Sequence, residues 1–565
     1  MNRFITFCFA ALAVSVILST PGCTSKHELM EKELTTFIAN YEAKIKPLQK
    51  EAYQAYWNAS ISGADDDWAK SEKLQLALNA VYTSKSDFET LKKIKASGAI
   101  TDPMQKRELD LIYNQYLANQ IDTALLAKRI GMETLIEKQF SSFRAEVNGQ
   151  QYTDNEIEEI LKTSVDQAKL QAAWEAHKKV GSVVAPELKK LIKLRNQIAQ
   201  TLGFDNYHSM SLKLSEQDPD AISKLFDELD SLTAGNFAEL KSEIDNYLSR
   251  RYNIPVSALM PWHYQNRFFQ EAPAIYQVDL DKYYAGQDIE KLTSDYYKSM
   301  GLDIDDILAH SDLYEKPGKN QHAYCIDIDN SGDVRVLCNI KPNYNWMSTM
   351  LHEFGHGIYD KYIDRGLPFA LRTPSHTFTT EAIAMLFGRM ASNPGWMLDM
   401  GIIDSAEMQK IDDQSFRVLR LEQLTFSRWA QVMYRFEKSM YENPDQDLDK
   451  LWWDLVEKYQ LLRRPPERHQ PDWASKIHIA TVPCYYHNYL LGELLASQLN
   501  HYVTASLIKS DDFRHQSFYG NSKVGNFFVS KVFQPGASLY WNDMIEKATG
   551  EPLTARYYAA QFIQN

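Results

Sequence analysis

Met350-Leu351-His352-Glu353-Phe354-Gly355-His356 is the stretch around which the rest of the chain is arranged. On a helix, His352 and His356 fall on one face, one turn from each other. Two imidazoles held that way can ligate one metal ion. Glu353 between them can reach a water beside that metal. The surrounding sequence reads as helix from about residue 345 to 363. Gly355 and Gly357 leave room there for other backbone to come close.

A glutamate in a helical setting follows at Glu381, with 24 residues between it and His356. Two histidines and a carboxylate leave a fourth zinc position open, the pattern of a catalytic site. We therefore expect one Zn2+ per chain, held by His352, His356 and Glu381. Glu353 is then placed to take a proton from water and pass it to a leaving amine. Attack on a carbonyl also builds an oxyanion, which needs a hydrogen-bond donor. The tract Lys476-x-His478 through Pro483-x-Tyr485-Tyr486-x-x-Tyr489 offers an ammonium, an imidazole and phenols. Tyr485 and Tyr489, four apart, share a helix face.

The chain has 565 residues and a net charge of −13, with 24% charged and 12% aromatic residues. That is a globular composition. The acidic balance argues against nucleic acid as a partner. The first residues read as an export signal: Arg3, an apolar run from Phe4 to Leu18, then Ser19-Thr20-Pro21-Gly22-Cys23. The run is too short to span a membrane. A small residue followed by cysteine resembles a bacterial lipoprotein processing site. The expectation is a signal over residues 1–22, a lipid anchor on Cys23, and one domain over residues 24–565. The protein would then be periplasmic or held in the cell envelope.

From Glu28 to about Gln200 the sequence reads as helix, with an apolar stripe of Phe37, Tyr41, Ile45, Leu48, Ala52 and Tyr56. No alternating strand pattern stands out there, and Ser60 to Asp66 reads as a turn. Residues 322–340 carry the clearest strand pair. A two-residue loop at Ser331-Gly332 would place Cys325 opposite Cys338. That register permits a cross-strand disulfide, with two buried free thiols as the alternative.

The spaced motifs together resemble the angiotensin-converting-enzyme family of zinc peptidases, the peptidyl-dipeptidase A group. The likeness runs through His352–His356, Leu367-Pro368-Phe369-Ala370-Leu371-Arg372 and Thr380-Glu381-Ala382-Ile383. It resumes at Leu451-Trp452-Trp453, Tyr459-Gln460, Pro465-Pro466-x-Arg468, Lys476-Ile477-His478-Ile479 and Val482-Pro483. It closes with Gly536-x-Ser538, Trp541 and Thr549-Gly550. The resemblance implies a mainly α fold, a helical ellipsoid split by a deep central channel between two helical subdomains. A small hairpin would lie beside the zinc site. It implies cleavage of short peptides, typically releasing a C-terminal dipeptide. Lys476 and Tyr485, with Gln265, would grip the substrate carboxylate. His322 and His478 would hold its carbonyls, Ala323 would pair with its backbone, and Tyr489 would donate to the oxyanion. No obligate protein partner is implied.

The chain also departs from that pattern. Met385 stands where the family has a carboxylate near the zinc ligands. Tyr486-His487 replaces the family's chloride-linked arginine, so chloride dependence does not carry over. The spacing to Glu381, together with Pro483-Cys484-Tyr485 and Tyr489, also resembles the thimet oligopeptidase family. An endo-acting oligopeptidase is therefore one alternative, and an inert peptide-binding lipoprotein is another. An intact Glu353 argues against the second.

Overall fold

The computed structural model describes residues 26–276 and 278–563. The signal segment and Cys23 lie outside the described residues. The fold is mainly α, and its strands form two small antiparallel sheets, β1 (Ala145–Val147) with β2 (Gln150–Tyr152) and β3 (Tyr324–Asp327) with β4 (Val334–Leu337). The β1–β2 hairpin departs from the all-helical reading of the first 200 residues. Three-residue strands are too short to show an alternation in sequence. Among the described residues, no helix is long and apolar enough to cross a membrane.

The N-terminal helices keep a core of their own. In the helix Lys26–Ser62, Tyr41, Ile45 and Ala52 bury against Leu78, Leu91, Ile112 and Tyr116 of the helices that follow. Tyr56, the last member of the expected stripe, is 37% exposed. Its neighbour Trp57 turns inward and packs with Ile328 and Leu337 of the β3–β4 region. The helix ends at Ser62 and the next begins at Asp65, so the turn expected between Ser60 and Asp66 forms there.

The larger core surrounds three helices that meet at the motif: the motif helix Tyr344–Tyr362, the Glu381 helix Thr377–Gly388, and the tyrosine helix His487–Tyr502. Two glycines set their spacing. A Cβ on Gly355 would lie 2.8 Å from Ala384 Cα, and one on Gly492 would lie 3.2 Å from Glu381 Cβ. At Gly355 only a bare backbone allows so close an approach, and at Gly492 a Cβ would fit tightly.

The β3–β4 register differs from the expected one by two residues. Cys325 pairs with Val336, not Cys338, and both cysteines are free thiols. The cause lies in the loop. The Asp329 carboxylate accepts from the amides of Ser331 and Asp333, Asn330 takes a left-handed φ of 49°, and Ile328 N–H donates to Asp333 O. Side-chain capping by Asp329 thus closes a four-residue loop where a two-residue loop was expected.

Candidate metal centre

The motif helix presents its histidines as the spacing dictates. The rings of His352 and His356 are 5.0 Å apart and nearly perpendicular. Glu381 Oε2 lies 3.8 Å from His352 Nε2 and 3.9 Å from His356 Nε2. The three donor atoms all fall within 4.8 Å of one another. Bonds of about 2.1 Å to a tetrahedral ion separate donors by about 3.4 Å, so the two imidazole–carboxylate separations need to close by only about half an ångström to fit zinc.

The electrostatics fit the same ion. Burial lowers His352 to about 4 and takes His356 well below the ordinary imidazole value, so both rings are in the neutral, ligating form. Burial raises Glu381 to about 7; burial and then the nearby Glu381 push Glu353 up to about 8. Two crowded carboxylates beside neutral imidazoles are what a divalent cation would relieve. The site stays open to solvent, with His352 keeping 30% of its side-chain exposure though protein surrounds it deeply. It is the floor of a recess.

Two contacts orient this machinery. His356 Nδ1 lies 2.7 Å from Thr380 Oγ1, which fixes the ring and frees Nε2 for metal. Thr380 thus does what a carboxylate at position 385 would do; Met385 instead puts its sulfur against the Gly492 backbone. Glu353 accepts a hydrogen bond from the Cys325 amide of β3. That amide therefore points away from β4. By strand alternation, the backbone groups of Ala323 point the same way. Ala323 is half-buried, and His322 beside it is exposed.

Lys476 stands in a separate polar pocket. It is 7% exposed, its Nζ donates to Gln270 Oε1 at 2.6 Å, and the rings of Phe268, Trp429 and Tyr486 lie 5.2–5.5 Å from it. Burial, then the Arg267 charge, lowers it to about 8. His478 lies against Tyr486 with ring centroids 5.4 Å apart, and its buried Nδ1 has no protein partner. Burial, then Lys476, lowers its imidazole to about 4.

Two expected members of this pocket lie elsewhere. Gln265 is buried at a φ of 60°, and it is Gln270 that accepts from Lys476 Nζ. Tyr485 packs on Tyr489 at 5.4 Å, and both phenols are raised by burial and then by Glu381. Tyr485 therefore belongs to the metal side, and Tyr486 is the tyrosine at Lys476. The tyrosine helix begins only at His487, so Tyr485 and Tyr489 do not share a helix face as expected.

The family model described as Peptidase_M2, angiotensin-converting enzyme, matches residues 28–558. No curated protein matches the chain.

Proposed function

The chain belongs to the angiotensin-converting enzyme family, Peptidase_M2, a family of zinc metallopeptidases, and from that premise we propose that it releases dipeptides from the C-terminal end of short peptides. The observation that carries this reading is the buried Lys476–Gln270 pair. A buried ammonium with an amide beside it and aromatic walls suits one free carboxylate.

His352, His356 and Glu381 would hold zinc, which when bound supplies Lewis acidity to the scissile carbonyl and the attacking water. Glu353, aimed by the Cys325 amide, takes the proton from that water and returns it to the leaving amine. Tyr489, with Tyr485 against it, donates its hydroxyl to the carbonyl oxygen as charge builds there. Lys476, Gln270 and Tyr486 hold the terminal carboxylate. His478, packed against Tyr486, would meet a substrate carbonyl through Nε2, since its Nδ1 is buried, and His322 stands at the exposed rim. The outward backbone of Ala323 adds the peptide as a further strand.

Mass analysis of products from a peptide and its C-terminally amidated twin tests the reading. Dipeptide release from the free acid alone supports it. Equal cleavage of both points to an endo-acting enzyme of thimet type and refutes it. We also propose export and lipid anchoring on Cys23, supported by the leader sequence. Labelled fatty acid should enter the wild-type chain and not Cys23→Ser.

A further inference from the structure

The machinery above leaves one pair of side chains on β3 and the motif helix without a role, Asp327 and Asp360. Asp360 follows His356 by four residues, so His352, His356 and Asp360 run in one line along the motif helix. Asp327 ends β3, the strand that aims Glu353. One guanidinium, that of Arg365, touches both residues but only one of the two carboxylates. Arg365 Nη1 lies 3.2 Å from Asp327 Oδ2, while Nη2 donates to the backbone carbonyl of Asp360 and not to its carboxylate. The acids nearby are already matched, Asp329 with Lys50 at 3.0 Å and Asp333 with Arg335 at 2.6 Å. One negative charge is left over, on the half-buried Asp360. Burial, then Asp327, pushes Asp360 up to about 7, the behaviour of a carboxylate short of a cation.

Its place relative to the reaction follows from the helix. Glu422 and Tyr344, the first residue of the motif helix, line one cavity, and Trp429, which faces Lys476, lies further along the helix that carries Glu422. The carboxylate grip is therefore toward the helix's N-terminal end, Asp360 is toward its C-terminal end, and the metal donors are between. Four residues of helix carry the line about 6 Å past His356, roughly two residues of extended peptide.

We propose that Asp360, backed by Asp327, is a specificity-determining residue that selects peptides with lysine or arginine as the second residue on the amino-terminal side of the cleaved bond. This deepens the peptidase reading above and rests on it. The test is a set of peptides with lysine, norleucine or glutamate at that position. Product masses locate the bond cut, so the preference is read from that bond whichever end the enzyme works from. The lysine peptide should be cut about ten-fold faster than the norleucine one, with glutamate slowest. In Asp360→Asn the lysine-to-norleucine ratio should fall to about one. Equal wild-type rates, or a lysine preference that survives Asp360→Asn, overturns the proposal, and the wild-type ratios decide even where the variant fails to fold. No cleavage of any peptide overturns both readings. Cleavage of amidated peptides with the lysine preference intact overturns dipeptide release alone.

Discussion

Replacing Thr380 with valine should weaken zinc binding without touching a ligand. With Nε2 of His356 at the metal, its proton sits on Nδ1 and is donated to Thr380 Oγ1 at 2.7 Å. Valine keeps the branched shape but removes the acceptor. The Nδ1–H is then left unpaired in a site where burial already takes the ring well below its ordinary value. A buried donor without a partner costs about 1–3 kcal/mol. The zinc dissociation constant should therefore rise about 10- to 100-fold, the span typical of groups that orient a ligating histidine. Competition with a chromophoric chelator measures it directly, and Thr380→Ser should restore most of the affinity by keeping the hydroxyl. A Thr380→Val dissociation constant within about two-fold of wild type would refute the argument.

Glu353→Gln should retain zinc in the same chelator assay yet lose at least about a hundredfold in kcat; surviving activity would remove Glu353 from the role of base. Lys476→Met should reduce kcat/KM for free-acid peptides by roughly 2–5 kcal/mol, the range for truncating one partner of a buried charge pair, and leave amidated peptides little changed. Because burial lowers Lys476 to about 8, its cation is present below that pH and lost above it. KM for free-acid peptides should then climb about ten-fold per pH unit above 8, and a flat KM up to about pH 10 would contradict the assignment. Gly355→Ala would force a Cβ to within 2.8 Å of Ala384 Cα, so its melting temperature should fall by an amount matching about 1–3 kcal/mol. A melting curve unchanged from wild type would show that the two helices can separate without penalty.

The metal donors were legible in the sequence because their geometry is local. One helical turn joins His352 to His356, and Glu381 sits on a helix whose start and period show in the text. The Lys476 pocket was legible only in part. Gln270 comes from a loop about 200 residues upstream with no periodicity, and nothing in its local sequence separates it from Gln265. Left-handed φ values at both Gln265 and Phe269 shape that loop, and alternation patterns do not report them. Tyr486 and not Tyr485 lies at Lys476 because the helix that carries Tyr489 starts after them. The hairpin register was misplaced because Asp329 caps the loop with its side chain, an effect that strand alternation does not report. Thr380 lies next to a ligand, yet its partner is a ring on another helix, a contact only tertiary packing creates.

On the proposed roles, the contact of the Cys325 amide with Glu353 would make the substrate-receiving strand and the proton carrier parts of one lever. A peptide seated on the Ala323 edge would pull on the strand that sets the carboxylate's angle. Peptides that seat badly on the strand should therefore turn over slowly even at saturation, so discrimination would show in kcat as well as in KM. A proline placed to face the strand, lacking the N–H for that pairing, would slow the proton transfer and loosen the grip together.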